Sequence, residues 1–401
     1  MDKKPRVVFT FVEAGMGHIV PATGISDAFE QKYGDVCEVV RSYIFTEDNN
    51  ADMLEYQQVL IDDTKKMAKH MSYSYLEHIG SEMMGSRLTL KFLDNHFKKY
   101  IPTLEQKVKD LQPDLLFNSY YSPGHFALNL RARGEIDCKV VTYIPDPIVY
   151  KAWDRRCDAM ITTNPQSYGI AKKQCKGQVF EVPCVLRKEA VNLIGKKQEM
   201  REKLGLPQDK FTILLSDGAY GQKKLKEYTE YLISLDRPIT VISVCGKNEE
   251  LCNYLKTLTP NSQVTFVPLG FVTNMLEYNA SADVFVGKGG SNSIMEAICF
   301  DLPVLLSGYA SVLEYCTSKY YITQMRCGEL VLKLGKFKKV INQILDNPQI
   351  LDNYKKNLKV YQDFSGAEKS ADIIFEQLID KFPELKSVYE SRQNVTEIVV
   401  E

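Results

Sequence analysis

Short apolar runs alternate with amphipathic stretches along the chain, and glycine or polar turns separate them. In the first half the runs predict strands at residues 6–12, 36–43, 115–118, 139–144, 158–162 and 179–182. In the second half they predict strands at residues 211–215, 239–245, 264–267, 283–286 and 304–306. Repeated strand, turn and helix units are typical of parallel sheets covered by helices, so the predicted fold class is α/β.

The units fall into two series of similar size, separated by a polar, lysine-rich segment. A chain of 401 residues exceeds what one hydrophobic core usually supports, so two Rossmann-like domains are expected. We predict a first domain over residues 1–187, with a helical insertion near 49–110, and a second over 188–365. Residues 366–401 are predicted to form a helix that packs back on the first domain, followed by a tail that is frayed from Ser391 onwards.

The composition of the chain argues against several classes of function. The formal net charge is −1, so no basic field would attract nucleic acid. The ten cysteines include no Cys-x-x-Cys pair, which makes metal and redox functions weak hypotheses. The N-terminus has a basic start, but its apolar run is short and enters a glycine loop without a small-residue cleavage site, so no signal peptide is expected. No run of about 18 apolar residues is present to span a bilayer. A cytoplasmic location with free thiols is therefore predicted.

The turn after the first strand carries Gly15 and Gly17, followed by His18 at the exit of the turn, before a helix predicted from Val20. Glycines allow the backbone to approach a ligand closely, and a histidine can transfer protons near neutral pH. The alternative is a tight turn closed by a capping histidine. Asp146 ends another first-domain strand and is a candidate second catalytic carboxylate, although an aspartate before Pro147 is also common in plain turns.

A glycine-rich segment after the strand at 283–286 carries the strongest signal. Its backbone amides and small polar side chains suit phosphate oxygens, and the residues concerned are Gly290, Ser291, Asn292 and Ser293. Glu296 follows within the helix, where a carboxylate beside a diphosphate is unfavourable unless it binds something else. Its two oxygens suit the two ribose hydroxyls, whereas the alternative is simple stabilisation of the helix N-terminus.

Other strand-end turns in the second half extend this prediction. Ser216 and Gly218 precede a helix and could hold a diphosphate, although an N-capped turn would have the same sequence. Phe271 and Val272 follow a strand and could present backbone groups to a base. Gly246 is also predicted to contact the nucleotide.

These turns, in this order, resemble those of the GT-B glycosyltransferases. The similarity is to the branch that holds the monogalactosyl- and glucosyl-diacylglycerol synthases and the peptidoglycan N-acetylglucosaminyltransferase. Gly15–His18 matches its Gly-x-Gly-His loop, Gly270, Phe271 and Met275 match its Gly-Phe…Met segment, and Lys288–Ala297 matches its Lys-Pro-Gly-Gly-Leu-Thr-x-x-Glu-Ala signature in outline. The resemblance implies a GT-B fold, with two facing Rossmann-like domains and a central cleft.

The resemblance also implies an inverting, metal-independent transfer of a hexose from a UDP-sugar, with no further cofactor. His18 is expected to act as general base or to position the acceptor, with Asp146 as the second candidate. The residues expected to contact the donor are Gly17, Ser216, Gly218, Gly246, Phe271, Val272, Met275, Gly290, Ser291, Asn292, Ser293, Glu296 and Glu314.

The chain departs from the family pattern at several positions. Gly289 replaces the proline of the signature and Ser293 its threonine, whereas the usual Gly-Gln-Glu segment is absent and Glu314 is its only plausible survivor. The identity of the sugar therefore stays open. No Asp-x-Asp triplet occurs, so amide-lined turns and no metal are expected to neutralise the leaving diphosphate.

The acceptor is predicted to be a hydroxyl of a membrane lipid such as diacylglycerol. Ser86–Ile101 mixes apolar residues with Arg87, Lys91, Lys98 and Lys99, as a helix lying on an anionic membrane surface would. A helix packed on one face and solvated on the other has the same pattern. The alternatives are a glycosyltransferase with a soluble acceptor, a nucleotide-sugar epimerase, and a non-catalytic UDP-sugar-binding regulator.

Overall fold

The computed structural model describes residues 3–13, 16–69, 71–218, 223–309 and 311–398. The chain divides into two compact units, and each contains a parallel six-stranded sheet with helices. Unit 1 comprises residues 1–187 and 364–401, and unit 2 comprises residues 188–363. The predicted α/β class with two parallel sheets is confirmed.

The sheet of unit 1 has the order β2-β1-β3-β4-β5-β6. Its strands are β1 (Arg6–Thr10), β2 (Glu38–Ser42), β3 (Leu115–Asn118), β4 (Lys139–Ile144), β5 (Ala159–Thr162) and β6 (Gln178–Glu181). All neighbouring strands pair in parallel. The central strands β3 and β5 are buried at every residue, which explains why they appear in the sequence as unbroken apolar runs.

In the part of unit 1 that the structure describes before residue 187, there are six helices. They are α1 (Met16–Tyr33), α2 (Ala51–Lys69), α3 (Met71–His96), α4 (Ile101–Leu111), α5 (Tyr121–Ala132) and α6 (Pro165–Gln174). Three of them, α2 to α4, separate β2 from β3. The long helix α3 is interrupted at Gly85, whose φ of 73° and ψ of 168° are not helical.

A buried charged cluster joins α3 and α5 to the loop after β4. His125 lies between two carboxylates, with Nδ1 2.7 Å from Asp154 and Nε2 2.8 Å from Asp94. Arg156 donates to Asp154 and to the Asn129 side-chain oxygen. Burial alone would lower the pKa of His125, but the hydrogen bonds with Asp154 and Asp94 raise it above 6.5. The histidine is therefore held as a cation that ties three elements together.

The sheet of unit 2 has the order β12-β11-β10-β7-β8-β9. Its strands are β7 (Phe211–Ser216), β8 (Ile239–Val244), β9 (Thr265–Leu269), β10 (Val284–Lys288), β11 (Val304–Gly308) and β12 (Gly328–Leu330). The sequence did not predict β12, because a strand of three residues is too short to show a period. Pro268 lies in β9, at the edge of the sheet, where a missing amide is tolerated.

The helices of unit 2 follow its strands. They are α7 (Lys188–Val191), α8 (Lys197–Lys203), α9 (Lys223–Ile233), α10 (Glu249–Lys256), α11 (Met275–Ser281), α12 (Ser291–Cys299), α13 (Val312–Ser318), α14 (Leu334–Asp346) and α15 (Ile350–Leu358). A π-helical turn at Lys319–Gln324 extends α13, and a 3₁₀ turn at Lys359–Tyr361 extends α15.

The chain then returns to unit 1 through α16 (Gly366–Ile379), a 3₁₀ turn (Pro383–Leu385) and α17 (Lys386–Ile398). Helix α16 packs on α1, where the Tyr33 ring stacks on Phe375 at 3.9 Å and its hydroxyl donates to Asp372. The prediction of a frayed end from Ser391 was wrong up to Ile398, since α17 continues to that residue. In the described residues, no helix is both long and apolar enough to cross a membrane.

Each sheet contains a point where the strand order reverses. In unit 1, β2 lies on one side of β1 and β3 on the other; in unit 2, β8 lies on one side of β7 and β10 on the other. Loops that leave the carboxyl ends of two such strands turn away from each other and leave a crevice, where ligands of open α/β sheets bind.

Candidate active site

His18 lies at the reversal point of unit 1. Helix α1 begins at Met16, so Gly17 and His18 stand in its first turn. The His18 Nδ1 atom is 2.6 Å from the carbonyl oxygen of Ser119, just after β3. A carbonyl only accepts, so Nδ1 carries the proton and Nε2 keeps its lone pair. Gly15 falls outside the described residues.

The environment of His18 favours the neutral ring. Burial lowers its pKa below the ordinary 6.5, while the Asp146 carboxylate and the Ser119 carbonyl act in the opposite direction. Asp146 follows β4, the neighbour of β3, so the structure brings the two predicted catalytic residues to one edge of the sheet. The Tyr120 ring meets His18 edge-on at 4.9 Å and fixes its orientation. This arrangement can accept a proton at Nε2 near neutral pH.

The crevice of unit 2 opens between β7 and β10. Ser216 ends β7 and Gly218 follows with a φ of 79°, which favours glycine. A Cβ atom on Gly218 would lie 2.8 Å from Cε of Lys288, the last residue of β10. The turn after β7 and the Lys288 side chain are therefore in contact, while the positive φ is what favours glycine at 218.

The N-terminus of α12 faces this edge of the sheet. Gly290 precedes the helix in an extended conformation, and Ser291, Asn292 and Ser293 form its first turn. The first amides of a helix have no intrahelical acceptors and attract anions. A Cβ atom on Gly289 would overlap the hydroxyl of Ser318, which donates to the Glu314 carbonyl. Close packing of α13 therefore explains why glycine replaces the proline of the family signature.

Glu296 lies in the second turn of α12 and is buried. One of its carboxylate oxygens accepts from the side-chain amide of Asn279 on α11, at 3.3 Å. The Asn279 side-chain oxygen is buried and has no hydrogen-bond partner in the described residues. Because a buried polar atom is costly without a partner, Asn279 adds an acceptor beside the predicted ribose site that the sequence did not indicate.

The remaining predicted donor contacts follow β8 and β9. Gly246 comes after β8 with a φ of 61°. Phe271 is 62% exposed, with the ammonium of Lys247 5.7 Å from its ring, and Val272 is partly buried beside it. Met275 begins α11. An exposed ring at a strand end is available for contact with a base.

Glu314 and Lys288 form an ion pair in which the Lys288 Nζ atom donates to a Glu314 oxygen at 2.8 Å. The amide of Glu314 donates to the hydroxyl of Ser311, which caps α13. Lys288 belongs to the matched signature, but the sequence predicted no particular role for it. Its contacts with residues 218 and 314 become visible only in the structure.

A buried carboxylate lies behind this pair. Asp217 accepts from the Ser307 hydroxyl at 2.8 Å, and Lys224 donates to the Ser307 carbonyl. Burial raises the pKa of Asp217, while the Ser307 hydrogen bond and the charges of Lys224 and Lys288 act in the opposite direction. The sequence did not single out Asp217, Lys224 or Ser307 as site residues.

Known proteins are similar to this chain in the sequence of the segment that contains this edge, and in fold. Residues 216–312 match the family model described as Glycosyltransferase family 28 C-terminal domain. Monogalactosyldiacylglycerol synthase 1, chloroplastic, of Arabidopsis thaliana is 24% identical over 367 residues, which cover 86% of this chain. The chain spans only 64% of the length of that synthase. The processive diacylglycerol beta-glucosyltransferase of Staphylococcus epidermidis is 26% identical over 281 residues, or 67% of each chain.

Solved structures agree on the fold. Acinetobacter baumannii MurG covers 93% of this chain and is itself covered completely, with a TM-score of 0.62 at 14% identity. The calicheamicin glycosyltransferase CalG4 covers 95% and is covered to 99%, with a TM-score of 0.57 at 13% identity. The predicted GT-B fold and the resemblance to glycolipid synthases are confirmed.

Proposed function

We propose that this chain is an inverting, metal-independent glycosyltransferase that moves a hexose from a UDP-sugar to an acceptor hydroxyl. The observation that carries the proposal is the crevice at the reversal point of unit 2. The amides of α12, the Lys288 ammonium and the buried Glu296 carboxylate meet one edge of that sheet, and all three lie within the segment that matches the family domain. An anion site followed by a carboxylate suits a nucleoside diphosphate.

The diphosphate, the ribose, the base and the sugar of the donor each contact residues of a different chemical type. The diphosphate lies against the first turn of α12, where Ser291, Asn292 and Ser293 add donors to the backbone amides. Glu296 accepts from the ribose hydroxyls, and the exposed Phe271 meets the base. Glu314 contacts the sugar.

The acceptor chemistry falls to His18. Its Nε2 atom takes the proton of the acceptor hydroxyl, and Asp146 stabilises the imidazolium that results. Attack at the anomeric carbon breaks its bond to the diphosphate in one step, which inverts the configuration. The leaving UDP is stabilised by dipoles already aimed at it, an effect that is often the largest catalytic contribution.

Glu296→Gln is expected to weaken UDP binding about 10-fold to 100-fold, since one hydrogen bond to a charged group contributes about 1.5–3 kcal/mol. The isosteric amide keeps the shape of the buried site but offers only one acceptor oxygen. Isothermal titration calorimetry with UDP measures the change. Glu329→Gln, on β12 of the same unit, is the matched control and should bind UDP as the wild type does. Unchanged affinity in Glu296→Gln would contradict the proposal.

A lipid acceptor is supported by α3, which exposes large apolar side chains to solvent. They are Tyr75, Leu76, Ile79, Met83, Met84, Leu88 and Phe92, of which Met83 is 84% exposed. Exposed Arg87 and Lys91 stand beside Leu88 and Phe92. The predicted segment Ser86–Ile101 therefore holds two kinds of residue, because Leu90, Phe97 and Tyr100 are buried in the core. An exposed apolar stripe with basic neighbours suits the surface of an anionic bilayer.

The triple change Met83→Ser, Leu88→Ser and Phe92→Ser is expected to reduce binding to vesicles containing anionic lipid by about 10-fold or more, since burying a large apolar side chain contributes about 1.5–3 kcal/mol. Vesicle flotation measures it. Val360→Ser removes an equally exposed apolar side chain from unit 2 and should float as the wild type does. Equal flotation of the triple variant would favour a soluble acceptor.

A panel of UDP-hexoses incubated with mixed lipids, followed by mass spectrometry, tests the reaction itself. We expect a new glycolipid and free UDP in equal amounts. Conversion of the donor without an acceptor would identify an epimerase, and binding of the donor without any product would identify a regulator.

A further inference from the structure

We propose that Lys288 is the cation that binds the diphosphate of the donor, and that Glu314 serves as its counter-ion until the donor arrives. The inference rests on the proposed function and adds a positioning residue and an exchange of partners to it. Donor binding moves the Lys288 ammonium from the Glu314 carboxylate to the phosphate oxygens, and the released Glu314 then accepts from sugar hydroxyls.

The position of Lys288 supports this role. It is the last residue of β10, so its side chain leaves the sheet at the reversal point, one residue before the glycines that precede α12. Its Nζ atom lies 3.6 Å from the place where a Cβ on Gly218 would stand. The ammonium therefore lies beside the turn after β7, and Lys288 itself stands three residues before α12, so it is close to both features that suit a diphosphate.

The charges around Lys288 explain the exchange. With side chains 27% and 17% exposed, Lys288 and Glu314 form a partly buried pair, and Asp217 and Lys224 contribute opposite charges nearby. The charges of these described groups thus nearly cancel when no ligand is bound. A diphosphate carries more negative charge than a single carboxylate and offers more acceptor oxygens, so it competes well for the ammonium. Glu314 would then turn carboxylate oxygens, which only accept, to the sugar hydroxyls.

A second lysine–glutamate pair in unit 2 shows what a merely structural pair looks like. Lys336 donates to Glu329 at the same separation, 2.8 Å, but the side chains are 47% and 33% exposed. This pair joins α14 to the edge strand β12, away from the reversal point. Lys336→Met is therefore a matched control for the loss of a lysine from an ion pair.

The test compares UDP with uridine, which has the same base and ribose but no phosphate. Lys288→Met is expected to weaken UDP binding at least 10-fold and to leave uridine binding unchanged, whereas Lys288→Arg keeps most of the UDP affinity. Glu314→Gln is expected to bind UDP several-fold more tightly, because the competing carboxylate is gone, while turnover of the UDP-hexose falls. Lys336→Met should match the wild type with both ligands.

Three outcomes would overturn the inference. They are unchanged UDP affinity in Lys288→Met, an equal loss of uridine and UDP affinity in that variant, and weaker UDP binding in Glu314→Gln. If Lys288→Met does not fold, Glu314→Gln and Lys288→Arg decide the matter through the same titrations. A wild-type protein that binds neither uridine nor UDP would instead refute the proposed function, so the two failures are distinguishable.

Discussion

His18→Ala lowers the rate of sugar transfer by about two to four orders of magnitude, the usual contribution of a positioned general base. The ring is oriented by the Ser119 carbonyl at Nδ1 and by Tyr120 at its edge, so Nε2 alone is left to take a proton. Alanine removes that acceptor and changes none of the residues of unit 2 that are proposed to bind UDP. We therefore expect kcat to fall while UDP affinity stays the same, as measured by initial rates and calorimetry.

The pH profile separates a base from a structural histidine. The base must be neutral, so activity rises with pH through the pKa of His18, which burial places below 6.5. Asp146→Asn removes a charge that raises this pKa, and the acid limb should move to still lower pH. Equal UDP affinity with an unshifted acid limb, or full activity in His18→Ala, would assign the proton to another group.

His125→Leu destabilises the protein by about 3 kcal/mol, because removing one partner leaves buried charge uncompensated. Asp154 keeps Arg156 as a partner, and Asp94 is partly exposed, so the effect stays at the lower end of values for broken buried pairs. Urea denaturation near pH 6 measures the change in the free energy of unfolding. His96→Leu, at an exposed position on α3, is the control and should change this free energy little.

The stability difference between wild type and His125→Leu depends on pH. The pKa of His125 is raised in the folded protein, so its stabilising effect is complete below about pH 6.5 and disappears as the pH rises through the raised pKa. Burial would raise the pKa of Asp154, but hydrogen bonds from His125 and Arg156 lower it below 3.8, and its effect disappears on acidification. The difference should thus be largest between about pH 4 and 6.5, and a difference independent of pH would contradict the charged cluster.

The sequence predicted the sheets and the glycine-rich edge well, for a physical reason. Buried parallel strands are continuous apolar runs, and the turns that follow them must gather at one edge. Gly218 and Gly290 could therefore be placed together from two segments far apart in the chain. His18 and Asp146 meet by the same rule, since β1, β3 and β4 are neighbours.

Contacts between side chains of distant segments could not be predicted from the sequence. The Lys288–Glu314 ion pair joins the end of β10 to α13, the helix after the next strand. His125 contacts one carboxylate from α3 and another from the loop after β4. The spacing of apolar residues in α3 also did not indicate which side chains are buried, because apolar residues occupy two faces of that helix. Only packing shows that Leu90 is buried and Leu88 exposed.

Under the proposed function, Gly289 constrains how the choice of sugar can be altered. A larger residue at this position meets the Ser318 hydroxyl, Leu306 and the Glu314 carbonyl, which all belong to β11 or α13. Residue 289 and the segment that carries Glu314 are therefore coupled in packing, because a side chain at 289 would need α13 to lie farther away. Redesign of sugar preference has to exchange residues 288–290 and 308–318 as one block, and a graft of either segment alone would meet its unexchanged neighbour.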